Sequence, residues 1–96
     1  MKKKETKFKE KILERLKSID GLWYAKIQSV SVRGIPDILI CYKGQFIAWE
    51  LKTDQGTVDT LQSYTLNNIK KSGGIARVVT PHNLKEAFKE DLCLDF

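Results

Sequence analysis

Two apolar runs, 35–42 and 45–53, are separated by only Lys43-Gly44, and no other feature of the chain restricts its fold so tightly. Both runs are rich in isoleucine, leucine and aromatic residues, which suit a pleated, packed backbone. A two-residue link ending in glycine joins antiparallel neighbours in a hairpin. With that turn, Tyr42 pairs with Gln45, and the register carries Asp37 opposite Glu50. Directly opposed residues share a face of the sheet. One face then carries Asp37, Leu39, Cys41, Phe46, Ala48, Glu50 and Lys52, and the other Ile38, Ile40, Tyr42, Ile47, Trp49 and Leu51. Both faces are apolar at their centres, so the hairpin is expected to be covered on both sides.

The rest of the chain builds around this hairpin. Phe8, Ile12, Leu13, Leu16 and Ile19 recur at helical spacing, which predicts an amphipathic helix over 5–18, ended by Asp20-Gly21. Residues 22–28 alternate loosely as a strand, and 29–36 form a loop containing Arg33-Gly34. Gly56-Thr57 can cap a second helix with Asp59 in its first turn, running to about Ser72 before Gly73-Gly74. Residues 75–80 read as a strand, and Asn83 to Glu86 as a capping-box-like start of a short third helix. The order αβββαβα in one domain over 1–96 implies an α/β fold with a mixed sheet flanked by helices.

Charge narrows the partners. The net charge is +5, and residues 1–17 hold eight lysines and arginines against three glutamates. The remainder is balanced, so the whole excess lies in the first helix and its leader, a pattern suited equally to a nucleic-acid footprint and to a solvated helix face. Lys2, Lys3, Lys4, Lys7 and Arg33 are the candidate nucleic-acid contacts. Cys41 and Cys93 have neither the spacing nor the histidine partners of a zinc site, and they fit a reducing cytoplasm, bacterial or phage-infected. No apolar stretch is long enough to span a bilayer, so no membrane partner is expected. No phosphate-cradling GxxxxGK loop is present, which argues against a nucleotide cofactor.

The charges that interrupt the hairpin carry the chemistry. Two carboxylates opposed on adjacent strands repel one another unless a cation sits between them. Oxygen ligands select a hard cation, and Mg2+ is the abundant one, with Mn2+ able to substitute. Lys52 follows Glu50 by two residues and so shares its face. Its ammonium can orient a water or neutralise a phosphate, and as the free amine it can deprotonate that water, as hydrolysis of a phosphodiester requires. Taken singly, Asp37 could cap a turn after Pro36, with Glu50 and Lys52 an edge-strand pair. That leaves three charges on one face of otherwise apolar strands unexplained. Two more polar residues lie on apolar stripes: Glu5, three before Phe8, and Gln62, among Val58, Leu61, Leu66 and Ile69.

Ile35-Pro36-Asp37 followed by Glu50-Leu51-Lys52 is the PD-(D/E)xK nuclease pattern. Together with the flanking Gly34, the segment 46–53, Gly56, Gln62 and Gly73-Gly74, it resembles the VRR-NUC family over nearly the whole chain. The resemblance implies a restriction-endonuclease-like fold and metal-dependent hydrolysis of DNA. It also implies metal ligation by Asp37, Glu50 and the Leu51 carbonyl, with Glu5 reaching the metal from the first helix. Lys52 would be the catalytic lysine and Gln62 would line the site. Stand-alone members of the family look like compact Holliday-junction resolvases that act as homodimers on branched DNA, and the shortness of this chain points the same way. The alternatives are a non-catalytic DNA-binding module with the same fold, and a flap or nicking nuclease acting with a partner. The apolar residues Leu92, Leu94 and Phe96 are expected to help form the subunit interface.

Overall fold

The β2–β3 hairpin forms around a turn in which Lys43 and Gly44 both have positive φ, 51° and 79°. Two left-handed residues in succession make the type I′ turn, whose twist matches that of paired strands. The structure, a computed structural model, describes residues 4–28, 33–53 and 58–96. Its elements are α1 (Lys4–Lys17), β1 (Leu22–Lys26), β2 (Ile38–Tyr42), β3 (Gln45–Leu51), α2 (Thr60–Lys71), β4 (Ile75–Val79) and α3 (Leu84–Ala87). A π-helical turn, Phe88–Leu92, continues α3. Tyr42 pairs with Gln45 and Ile38 with Trp49, which is the register expected from the turn.

The strands form one mixed sheet in the order β1-β2-β3-β4, antiparallel except for the parallel pair β3–β4. The parallel pair is possible because α2 carries the chain back across the sheet. One face takes the core. Ile38, Ile40, Ile47, Trp49 and Leu51 are buried there with Phe8, Ile12 and Leu16 of α1 and Leu84, Ala87, Phe88 and Leu92 from the C-terminal segment. Each large side chain buried in this way contributes roughly 1.5–3 kcal/mol.

A polar cluster lies in this core. The Trp49 indole N–H donates to Asp91 Oδ2 at 2.8 Å. Arg77 donates to both oxygens of the same carboxylate, at 2.9 and 2.8 Å. Asp91 is buried, and its two partners on β3 and β4 satisfy it. The bidentate pair fastens the π-helical turn across the two strands.

The second face departs from expectation. α2 lies over β3 and β4, where Ala48 and Ala76 are small enough to let it approach and Leu66 is buried. Over β1 and β2 there is no such cover among the described residues. The register places Trp23 beside Cys41 and Cys41 beside Phe46 in one row across three strands. Trp23 is 60% exposed and Phe46 46%, and Cys41 is exposed as well. The C-terminal residues do the reverse of what was expected. Leu92 is fully buried, and Leu94 and Phe96 pack on the chain's own core, with the Phe96 ring 4.9 Å from that of Phe88.

Two helix starts also differ. Asp59 is itself the N-cap of α2, accepting from the Gln62 N–H at 2.8 Å, so the helix begins later than a Gly56-Thr57 cap would set it. Gly56 and Thr57 lie outside the described residues, as do Lys2 and Lys3. Asn83 makes no capping bond to α3. Its amide instead bridges the end of β4, accepting from the Thr80 N–H and donating to the Val78 carbonyl.

Lys43 holds a left-handed conformation that costs an L-residue roughly 1–2 kcal/mol, and asparagine tolerates it better. Lys43→Asn should therefore raise the urea midpoint of unfolding, by about 0.5–1 kcal/mol in stability, with the slope unchanged. A fall would mean that the contact of the Lys43 ammonium with the Tyr42 ring, 5.3 Å away, outweighs the turn.

Candidate active site

Asp37 stands one step before β2 and continues its register, so it meets β3 at Glu50 and Leu51. Its carbonyl accepts from the Ile27 N–H at 2.8 Å, which ties it to the end of β1. Its side-chain Oδ2 accepts from the Leu51 N–H at 2.9 Å. The residue is thus held by its backbone at the end of β1 and by its carboxylate on β3. The loop that delivers it is seated on α2 through Gly34, whose φ is +81°. A Cβ there would lie 2.7 Å from Leu61 Cγ and 3.1 Å from the Leu61 carbonyl, so only glycine permits the approach.

Glu50 projects from β3 under the start of α2, and its side chain is only 3% exposed. Gln62 Nε2 donates to Glu50 Oε2, while Gln62 Oε1 accepts from the Asp59 N–H at 3.4 Å. One amide therefore closes the capping box of α2 and holds the carboxylate beneath it. The Lys52 ammonium lies 3.6 Å from the same Oε2. The other oxygen, Oε1, is buried and has no hydrogen-bond partner among the described residues. Burial pushes the Glu50 carboxyl up to about 7, the Asp37 charge adds to the rise, and Lys52 and then Gln62 oppose it.

A buried carboxylate oxygen without a partner, next to a second carboxylate, is the donor set that a hard divalent cation satisfies. Asp37 and Glu50 could hold such an ion. The Leu51 side chain is buried on the core face, so only its backbone could join them. Lys52 and Gln62 both meet Glu50 at Oε2.

Glu5 is not gathered with them. It is exposed in the first turn of α1, although by helical spacing it continues the line of the buried Phe8, Ile12 and Leu16. No group of three or more His, Cys, Asp or Glu side chains able to hold a metal occurs among the described residues. The residue that α1 does bring to the site is Lys9, one turn after Glu5, whose ammonium is 4.0 Å from Asp37 Oδ1. Sequence spacing hid it among eight basic residues, and only its i+4 relation to Glu5 marked that side of the helix. Lys4 and Lys7 are exposed on α1, and Arg33 is exposed beside Asp59, Thr60 and Leu61. No helix among the described residues is long and apolar enough to cross a membrane.

No family model matches the sequence, and no curated protein matches it either. Solved structures do. One described as a VRR_NUC domain superimposes with a TM-score of 0.76 at 22% identity, covering 93% of this chain and 97% of that one. The Holliday junction resolvase Hjc of Archaeoglobus fulgidus gives a TM-score of 0.56 at 19% identity, covering 78% of this chain and 67% of that one. At these identities the likeness is one of fold, and that fold is the expected restriction-endonuclease-like α/β arrangement.

The Glu50 shift has a sign that can be measured. Between pH 4.5, its ordinary value, and about 7, the folded chain holds the proton more tightly than the unfolded one. Stability is therefore present at low pH and lost as pH rises through that window, by at most about 3 kcal/mol. In chelator, the melting temperature of the native protein should fall from pH 4.5 to 7 relative to that of Glu50→Gln, which cannot ionise there. Parallel curves for the two proteins would mean that Glu50 is not held in a desolvated site.

Proposed function

We propose that the chain is a divalent-metal-dependent DNA endonuclease that acts on branched DNA in the manner of a Holliday-junction resolvase. The observation that carries this reading is the buried Glu50, with Oε1 unpartnered among the described residues, held beside Asp37 by Gln62 and Lys52. A merely structural carboxylate would be satisfied by its neighbours. Asp37 and Glu50 would hold Mg2+, or Mn2+ in its place, with the Leu51 carbonyl as a further oxygen. Such an ion, when bound, supplies charge to a phosphodiester oxygen and acidifies a water. The chain's own part is to fix both carboxylates, to exclude water from behind Glu50, and to present the Lys52 ammonium. That ammonium can orient the attacking water or neutralise the phosphate, and in its deprotonated amine form the same side chain can accept the proton of the water. Glu5 is left out of the metal set.

Exposed Lys4 and Lys7, with Arg33, supply cations for a DNA backbone. The shared fold with a protein described as a Holliday junction resolvase supports a branched substrate. A resolvase must cut two strands related by a near two-fold axis, so we take the working unit to be a homodimer. The uncovered row of Trp23, Cys41 and Phe46 is the face that fits it, because it is apolar and uncharged and so can meet its own copy without repulsion.

Labelled four-way, flapped and linear DNA, each with Mg2+, Mn2+ or chelator, tests the activity. Paired incisions in the four-way substrate are expected with metal alone, reduced roughly 100-fold or more by Asp37→Ala, Glu50→Ala or Lys52→Ala. Persistent cutting by purified Glu50→Ala protein overturns the assignment.

Sedimentation at micromolar concentration tests the assembly. A dimeric mass that Phe46→Glu converts to a monomer is expected, with Cys41 readily cross-linked to its symmetry mate. A monomeric native protein would remove the resolvase reading and leave the nuclease reading in place.

A further inference from the structure

Asp37 has two oxygens and three claims upon them. Oδ2 is committed to the Leu51 N–H. Oδ1 faces the Lys9 ammonium at 4.0 Å, and Oδ1 is also the oxygen left for a metal ion. An ammonium and a divalent cation converging on that one oxygen repel each other, since both are positive. We propose that Lys9 and the divalent cation compete for Asp37, so that Lys9 sets the metal affinity of the site and withdraws when metal binds. This inference rests on the metal-dependent reading of the site given above.

The charges and the geometry identify Lys9, rather than Lys52, as the residue that yields. Asp37 and Glu50, when ionised, are matched by Lys9 and Lys52, so an added divalent ion leaves an excess of positive charge. Lys52 is anchored close by: its backbone N–H donates to the Val79 carbonyl, and it follows Glu50 on the same strand end. Lys9 reaches in from α1 across the edge of the sheet, at the outer limit of an ion pair. Its own flank is a cleft lined by Glu5, Thr6 and Glu10 on α1 and by Lys26 at the end of β1. Glu5, one helical turn before Lys9, offers its ammonium another carboxylate at favourable spacing. The exchange gives Glu5 an indirect part in metal binding, although it is not grouped with Asp37 and Glu50 as a ligand.

Calorimetric titration with Mn2+ alone, without DNA, tests the competition in native protein, Lys9→Met and Lys9→Arg. Removing a unit charge 4.0 Å from the ligand oxygen should tighten Mn2+ binding by about fivefold or more, even with water-like screening. Lys9→Arg, which keeps the charge, should restore the native affinity. Melting curves supply a second readout. Lys9→Met should melt below the native protein in chelator and level with or above it in saturating Mn2+, whereas a purely structural lysine would lower both alike. Native protein and Lys9→Met binding Mn2+ equally, with the same melting loss in both conditions, overturns the competition while leaving the metal site intact. Native protein that binds no Mn2+ overturns both.

Discussion

A slip of one residue between β2 and β3 would turn Trp49 outward and drive Glu50 into the apolar core. Side chains alternate with period two, so register decides at a stroke which face is greasy and which is charged. The type I′ turn at Lys43-Gly44 fixes that register, and the cores of the two faces enforce it. On one side Ile38, Ile40, Ile47 and Trp49 can be buried together by α1 and the C-terminal segment. On the other, the same register puts Asp37 at the strand end where Glu50 and Leu51 lie. Fold and site are two results of one constraint.

The site is expensive in the folded chain, and its neighbours share the cost. Glu50 is desolvated next to a second carboxylate. Gln62 meets it from α2, Lys52 from its own strand, and the Asp37 carboxylate is steadied by the Leu51 amide. The capping of α2 and the holding of Glu50 use the same glutamine side chain, so the helix start and the carboxylate cannot be adjusted independently. Behind them the Arg77–Asp91–Trp49 cluster ties β3 and β4 to the last turn of the chain. The strand that bears Glu50 is thus braced from both faces.

Local spacing made the hairpin, the order of elements and the shared face of Asp37, Glu50 and Lys52 legible in the sequence. Each depends on residues within a few positions or on a turn of known length. Gln62 was marked as a site residue by the family resemblance alone. What escaped depends on partners far apart in the chain. Glu5 sits on an apolar stripe by count, yet the helix begins too near it for the sheet to cover it. Lys9 shows no signal of its own, because only the approach of α1 to the end of β2 gives it Asp37 to face. The fate of Leu92, Leu94 and Phe96 turned on a π-helical turn and a buried aspartate that bend the C-terminus back onto Phe88. The open face over β1 and β2 followed from α2 lying over β3 and β4, which strand patterns alone do not locate.

The two-residue turn also has a consequence for the order in which the chain assembles. A hairpin closed by so short a loop forms within microseconds, whereas the parallel pairing of β3 with β4 must wait for the intervening α2 to close a much longer loop. Pairing that spreads from Tyr42 and Gln45 reaches Ile38 and Trp49 last, and Asp37 lies just beyond. The two carboxylates are therefore brought together at the frayed end of a young hairpin, before Gln62 exists in place to hold either. Their repulsion acts on the final rungs alone, so the nucleus of the fold can form without it, and the charged end closes only when the helices arrive.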